Sequence, residues 1–293
     1  MRKGLLIAFA VLILLCSVGA ILYPPVSDWY MQQRQTQIVT ETVQKLQTAD
    51  TSVLTAARAA ADAYNRTLMG GTVTMDGAAL MPDTDYDELL NVNGDGIMGC
   101  VEIPKLNVYL PIYHGTTGSA LGKGIGHLHG TSLPVGGEST HAVISGHSGM
   151  MGQRMLTDLE QLTVGDVFYL YVLGEKLAYE VDQVKTVLPE DTSGLQIIPG
   201  EDHVTLVTCT PYGVNTHRLL VRGVRISVDT AEQIVVEHSE KTITSTWNKQ
   251  YVYGILMGLA IVAVILLLFL LYRLIWRCLH RHAKHERGGD VNG

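Results

Sequence analysis

The residues Thr205-Leu206-Val207-Thr208-Cys209 read as a strand that delivers a thiol to a sheet edge, and Thr210-Pro211-Tyr212-Gly213 reads as a turn. A second strand beginning at about His217 and Arg218 then runs back beside the first. That hairpin places Cys209 and Arg218 near each other, where a guanidinium lowers a thiol pKa or holds a developing oxyanion. Nucleophilic chemistry by a thiol also needs an acid or base. His147 lies in Ile144-Ser145-Gly146-His147-Ser148-Gly149, at the end of a strand, with glycines that let a loop bring the imidazole to a neighbouring strand. His114, His127, His129, His141, His203 and His217 compete for that role, and residue types alone do not discard them. With reference values near 8.5 for a thiol and 6.5 for an imidazole, a thiolate–imidazolium pair makes up only about 1% of the neutral-pH population. A modest turnover is expected.

The chain has four cysteines. Cys16 and Cys278 fall in or beside apolar runs, which leaves Cys100 and Cys209 in the central region. A disulfide scaffold is excluded by number; a single Cys100–Cys209 bridge stays open, against the alternative that a thiol is kept for its chemistry. Asn91-Val92-Asn93-Gly94-Asp95-Gly96 with Glu102 has the oxygen-ligand spacing of an EF-hand loop, but position 1 is Asn and Glu102 falls in a strand pattern. A polar turn leading into the first strand is the preferred reading. His127 and His129 have metal-compatible spacing without an accompanying carboxylate or cysteine cluster, so a loop role is preferred and no metal or other cofactor is expected.

The elements that must position these groups follow from hydropathy and charge. Residues 4–22 and 251–272 form uncharged runs of 19 and 22 residues, each long enough to cross a hydrocarbon core of about 30 Å as a helix. Arg2 and Lys3 precede the first run, and Arg273, Arg277, Arg281, Lys284 and Arg287 follow the second, which puts both ends on the cytoplasmic side and the middle outside. The first run also reads as a secretory signal with a cleavage site after Ala20. Between the ends, 14 Lys and Arg face 26 Asp and Glu, which argues against a nucleic-acid surface. The basic tail 273–293 therefore reads as a membrane-interface anchor.

From Val26 to Met69 there is no Gly or Pro, and Val39, Val43, Leu46, Val53, Ala57, Ala60, Tyr64 and Leu68 keep helical spacing. This predicts a helical stalk over 26–69 with a joint near Asp50, Thr51 and Ser52. Residues 70–96 read as loop. Short segments rich in Val, Ile, Tyr and Leu follow: Cys100–Ile103, Val108–Tyr113, His141–Ser145, Val167–Leu173, Leu177–Val187, Val204–Cys209 and Arg218–Ile226. They predict a mostly antiparallel barrel or sandwich over 97–230, with a linker at 231–250 before the apolar run 251–272.

The run Thr205-Leu206-Val207-Thr208-Cys209-Thr210-Pro211-Tyr212-Gly213-Val214-Asn215-Thr216-His217-Arg218-Leu219-Leu220-Val221-Arg222-Gly223 resembles the signature of the class C, pilin-polymerising sortases. The resemblance extends upstream through Glu102-Ile103-Pro104-Lys105, Leu110-Pro111-Ile112-Tyr113-His114-Gly115, Ser132-Leu133-Pro134-Val135-Gly136-Gly137 and Ser145-Gly146-His147, covering about Tyr64 to Ile226. It implies a mostly β fold, the sortase-type closed β-barrel, with N-terminal helices and flanking transmembrane helices. It also implies a cysteine transpeptidase in which His147, Cys209 and Arg218 match the catalytic His, Cys and Arg.

In that family the thiolate attacks the Thr-Gly carbonyl of a C-terminal sorting signal of the Leu-Pro-x-Thr-Gly kind. The acyl group passes to a Lys amine of the next pilin subunit or to a cell-wall amine. The implied partners are surface or pilin proteins bearing such signals, an acceptor amine and the membrane, with the catalytic domain on the extracellular face of a Gram-positive-type envelope. The alternatives are a sortase that anchors proteins to cell-wall peptide and a noncatalytic surface-binding module. Ser148 replaces an Arg common after the catalytic His, and Leu156 replaces a Phe common before Thr157-Asp158-Leu159; neither is expected to touch the triad. Where class C enzymes carry a lid with Asp-Pro-aromatic, the nearest match is Asp76-Gly77-Ala78, which lacks the Pro and the ring. A lid over 70–82 is therefore expected to cover the cleft only loosely.

Overall fold

The structure, a computed structural model, describes residues 2–68, 84–149, 153–238 and 245–286. Asp76, Gly77 and Ala78, the expected lid, lie outside the described residues. The chain divides into two units, Met1–Ile243 and Thr244–Gly293.

The larger unit is built on a closed barrel of eight strands: β1 (Ile97–Ile103), β2 (Val108–His114), β3 (Ile125–His127), β4 (Thr140–Ser145), β5 (Val167–Val172), β6 (Glu175–Val187), β7 (Asp202–Thr210) and β8 (His217–Ile226). Their spatial order is β1-β2-β3-β4-β7-β8-β6-β5, with β5 returning to β1. Six of the pairings are antiparallel, and β2–β3 and β4–β7 are parallel. Side chains alternate between the two sides of each strand. Val101, Ile103, Ile112, Ile144, Phe168, Leu170, Tyr179, Leu206 and Val221 fill the main core, where burial of a large apolar side chain contributes about 1.5–3 kcal/mol. The opposite faces of β4, β7 and β8 carry Val143, Val207 and Leu220, which pack with Leu128 and Leu195 in a second cluster.

Two long helices precede the barrel. Helix α1 runs without a break over Arg2–Thr48, through Pro24 and Pro25, although each proline removes an amide donor. The boundary expected at residue 25 is thus not a break in the helix. Gln35, Val39, Thr42 and Leu46 form its buried stripe, at helical spacing. Helix α2 (Thr51–Thr67) starts at a new N-cap, where the Asp50 side chain accepts the N–H of Ser52 at 2.8 Å. Asn65 docks this helix by accepting the Leu133 N–H at 2.7 Å and donating to the Leu133 carbonyl at 3.2 Å. Two short helices, α3 (Thr84–Glu88) and α4 (Gly118–Leu121), sit in connections, and Tyr86 of α3 is buried.

Helix α5 (Val228–His238) occupies residues where a linker is expected from 231. Ala231, Ile234 and Val235 pack against Val167, Tyr169 and Ala178, so amphipathic burial converts the start of that segment into a helix. In the smaller unit, α6 (Thr246–Glu286) covers the second apolar run. Among the described residues, α1 holds a stretch long and apolar enough to cross a membrane, and Lys249–Val264 is a shorter apolar stretch.

Candidate active site

Strand parity and register bring the three candidate side chains together. In the parallel pair β4–β7, Ser145 lies beside Val207. The pairing continues past the end of β4, because the Gly146 N–H donates to the Val207 carbonyl at 3.0 Å and the Thr208 hydroxyl to the Gly146 carbonyl at 2.8 Å. His147 and Cys209 each stand two residues beyond the Ser145–Val207 pair, on strand ends about 4.8 Å apart. On the other side of β7, the antiparallel register sets Cys209 directly opposite Arg218 of β8. Cys209 shares its parity with Val207, and Arg218 shares its own with Leu220, so both side chains leave the face that carries the second apolar cluster. Continuing the parity of Val143 and Ser145 puts His147 on that face as well. Cys209 therefore lies between His147 and Arg218, on the outer wall of the barrel.

Local sequence explains the geometry. A Cβ on Gly146 would come within 2.7 Å of the Ile125 side chain and 2.8 Å of the Leu156 side chain, so only glycine allows the strand to leave the core and present His147. Gly149 has φ +75°, and a Cβ there would meet the Tyr212 ring at 3.3 Å. The loop after His147 thus rests on the turn after Cys209. That turn is closed by the Pro211 carbonyl, which accepts the N–H groups of Val214 and Asn215 at 3.0 Å each. Arg218 Nη1 donates to the carbonyls of Asn215 and His217 at 3.2 Å each, which orients the fork at the same strand end. Cys209 is a free, half-buried thiol. Cys100 is also free and fully buried in β1, and burial pushes its thiol up to about 12. No Cys100–Cys209 bridge is present.

The competing histidines have other attachments. His141 is buried, with Nδ1 2.9 Å from the Gln196 carbonyl and Nε2 2.7 Å from the Thr205 hydroxyl. His127 is buried, 2.8 Å from both the Tyr86 hydroxyl and the Ser132 carbonyl. His129 stacks on Tyr86 with centroids 4.0 Å apart, so His127 and His129 serve one aromatic cluster. His114 contacts the carbonyls of Leu89 and Gly96, and His203 is buried with Nε2 3.9 Å from Asp182. His217 starts β8 opposite Thr210, but its parity is opposite to that of Arg218.

The EF-hand-like spacing also resolves into structure. Asn91 and Asp95 cap the N–H groups of Gly96 and Ile97 at 2.9 and 3.1 Å, while Glu102 on β1 accepts the Tyr171 hydroxyl at 2.6 Å.

Residues that sequence reasoning missed lie behind the site. The Thr208 hydroxyl ties β7 to Gly146, and the Leu156 N–H donates to the His147 carbonyl at 3.1 Å. Thr208 stands beside Cys209 in sequence; Leu156, expected not to touch the triad, contacts the main chain of His147 and packs under Gly146.

The closed barrel sets a thiol between the strand end that leads to an imidazole and a strand that carries an arginine near its start, the residue types that nucleophilic chemistry by a thiol needs. Comparison with known proteins gives it a family. The sortase domain matches residues 101–226. Sortase C-1 from Actinomyces oris is 47% identical, with a TM-score of 0.56 over 60% of this chain and 99% of that one. Streptococcus pneumoniae sortase C is 41% identical, with a TM-score of 0.61 over 65% of this chain and 97% of that one. Sortase D of Bacillus subtilis is 32% identical over 132 residues, 44% of this chain and 64% of that protein, so the match spans less than two thirds of this relative's length. The chain belongs to the sortase family, and its structural relatives are class C sortases.

Proposed function

We propose that the protein is a membrane-anchored sortase that joins surface proteins through isopeptide bonds, with Cys209 as nucleophile, His147 as proton carrier and Arg218 as the oxyanion or substrate clamp. The observation that carries this reading is the order β4-β7-β8, with His147, Cys209 and Arg218 at adjacent strand ends. The Cys209 thiolate attacks the Thr-Gly carbonyl of a sorting signal, and the negative charge that develops on oxygen is met by the Arg218 guanidinium. The C–N bond then breaks, the leaving glycine amine takes a proton from the His147 imidazolium, and a thioester remains on Cys209. An acceptor Lys amine attacks the thioester, its proton passes to the His147 imidazole, and the C–S bond breaks to give the amide and restore the Cys209 thiolate beside the imidazolium.

The class C relatives favour a pilin as both donor and acceptor; the crystal structure of Streptococcus pneumoniae sortase C bears on catalysis and pilin substrate specificity in that protein. Membrane attachment is supported by the apolar part of α1, by exposed Tyr23, Trp29 and Tyr30 at the end of that part, and by the uncharged run 251–272. The Lys and Arg that flank the two apolar runs support an orientation with the barrel outside.

The test is mass spectrometry of products after the full-length protein in detergent is mixed with a sorting-signal protein and two acceptors, a pilin-type Lys domain and a cell-wall peptide. A branched Thr-to-Lys product supports polymerisation. Transfer to the peptide alone would reassign the protein to cell-wall anchoring, and no product with either acceptor would contradict the proposal.

A further inference from the structure

The loop that follows His147 is held from behind by α1, the helix that carries the first apolar run. Asp28 of α1 is buried, and that burial raises its carboxyl above the usual range, with Arg154 opposing the shift. Its Oδ1 accepts the Arg154 N–H at 2.9 Å, and its Oδ2 lies 3.0 Å from Arg154 Nε and accepts from Gln32 Nε2 at 3.1 Å. About two turns further along α1, the buried Gln35 points Nε2 at Met155 Sδ, 3.4 Å away. The next residue, Leu156, gives its N–H to the His147 carbonyl and wedges its side chain under Gly146. Thr157 then accepts the Gly149 N–H at 3.1 Å. Four consecutive residues thus connect α1 to both sides of His147. The carboxylate side of this ion pair is buried while the guanidinium is partly exposed, so losing the Arg154 side chain or the Arg154 amide leaves a buried carboxyl group without its contacts.

Resting on the assignment of His147 as the proton carrier, we infer that Asp28 is a positioning residue for His147: α1, through Arg154, Met155 and Leu156, sets the imidazole against Cys209. The helix that carries the apolar, membrane-length stretch is in this way part of the active-site scaffold. A barrel cut free of α1 keeps all three reacting groups and loses the support of one of them.

The test uses the full-length protein in detergent and compares Asp28→Ala, Asp28→Asn, His147→Ala and the exposed α1 control Glu41→Ala. Cleavage of a Leu-Pro-x-Thr-Gly peptide gives kcat and KM, normalised to active thiol by titration, and Cys209 alkylation is followed across pH. Asp28→Ala is expected to lower kcat tenfold or more with KM within twofold, and to move the alkylation profile toward that of His147→Ala. Asp28→Asn keeps an acceptor for the Arg154 amide and is expected to lose about threefold in kcat. It carries the test if the alanine variant does not fold. Glu41→Ala should match wild type. An Asp28→Asn enzyme with unchanged kcat and unchanged profile, alongside an inactive His147→Ala, would overturn the inference. Activity retained in His147→Ala would instead overturn the assignment on which it rests.

Discussion

Strand β4 carries one histidine near its start and leads to another just past its end, and the barrel's two cysteines divide in the same way. His141 and Cys100 lie within strands, buried, where His141 is engaged by Gln196 and Thr205 and Cys100 is fully shut off from solvent in β1. His147 and Cys209 stand at or just past strand ends, partly open to solvent, each two residues beyond the last β4–β7 pair, Ser145–Val207. The same residue types therefore serve structure where a strand buries them and are left available for chemistry where a strand's C-terminal end opens to solvent. A barrel suits this division, because closure satisfies the backbone along every strand and leaves the ends to the loops.

The comparison breaks most sharply at the cysteines. Cys209→Ala is expected to lower acyl transfer by roughly 10⁴-fold or more, the scale of a lost nucleophile. Cys100→Ala should leave the rate within about threefold and cost about 1–2 kcal/mol of stability through the cavity it opens. Peptide cleavage assays and urea melts of both variants check this pair. An inactive but fully folded Cys100→Ala would erase the distinction.

The histidines come next. His147→Ala should cost about 10² to 10⁴ in kcat, the range of general acid–base catalysis. His141→Ala removes the partner of the Gln196 carbonyl and the Thr205 hydroxyl, and should cost about 1–3 kcal/mol in stability with little change in turnover.

Arg218→Lys keeps the charge and loses the planar fork, so a fall of about 10² in rate is expected from steady-state kinetics. Near-normal kinetics would show that charge alone suffices.

A smaller effect separates the two kinds of histidine by pH. Burial holds His141 down at about 4, partly offset by its bond to the Gln196 carbonyl, and burial lowers His127 as well. Below about pH 6.5 the unfolded chain binds protons that these folded-state imidazoles refuse, so stability falls as pH drops toward 4 and is insensitive to them above about 7. His141 accounts for at most about 3 kcal/mol of that loss. Urea melts at pH 7.5 and 5 should show it, and His141→Gln should reduce the slope. An unchanged slope in that variant would mean the buried histidine does not carry the effect.

The hairpin from Thr205 to Arg218 was legible in the sequence because strand, turn and strand are contiguous, and the pairing of Cys209 with Arg218 follows from the length of the turn. The barrel's mostly antiparallel character and the new helix start at Asp50 were legible for the same local reason. The parallel pairing of β4 with β7 was not, since no local signal joins residues 145 and 207, and the three residues of β3 are too few to show a period. Nor could the competing histidines be set aside by sequence. What occupies His141 and His127 comes from Gln196 and Tyr86, 55 and 41 residues away. Asp28 and Arg154, 126 residues apart, each look like an ordinary surface charge until the fold buries one against the other.

The most direct test of the central claim, that chemistry resides at the strand end and not in the strand interior, is to trap the acyl-enzyme. The full-length protein is mixed with a Leu-Pro-x-Thr-Gly peptide without an acceptor amine, quenched in acid, digested and mapped by mass spectrometry. The account predicts a thioester adduct on the peptide that contains Cys209, lost in Arg218→Ala and His147→Ala and unchanged in Cys100→Ala. An adduct on Cys100, or an undiminished adduct in the His147 and Arg218 variants, would contradict it.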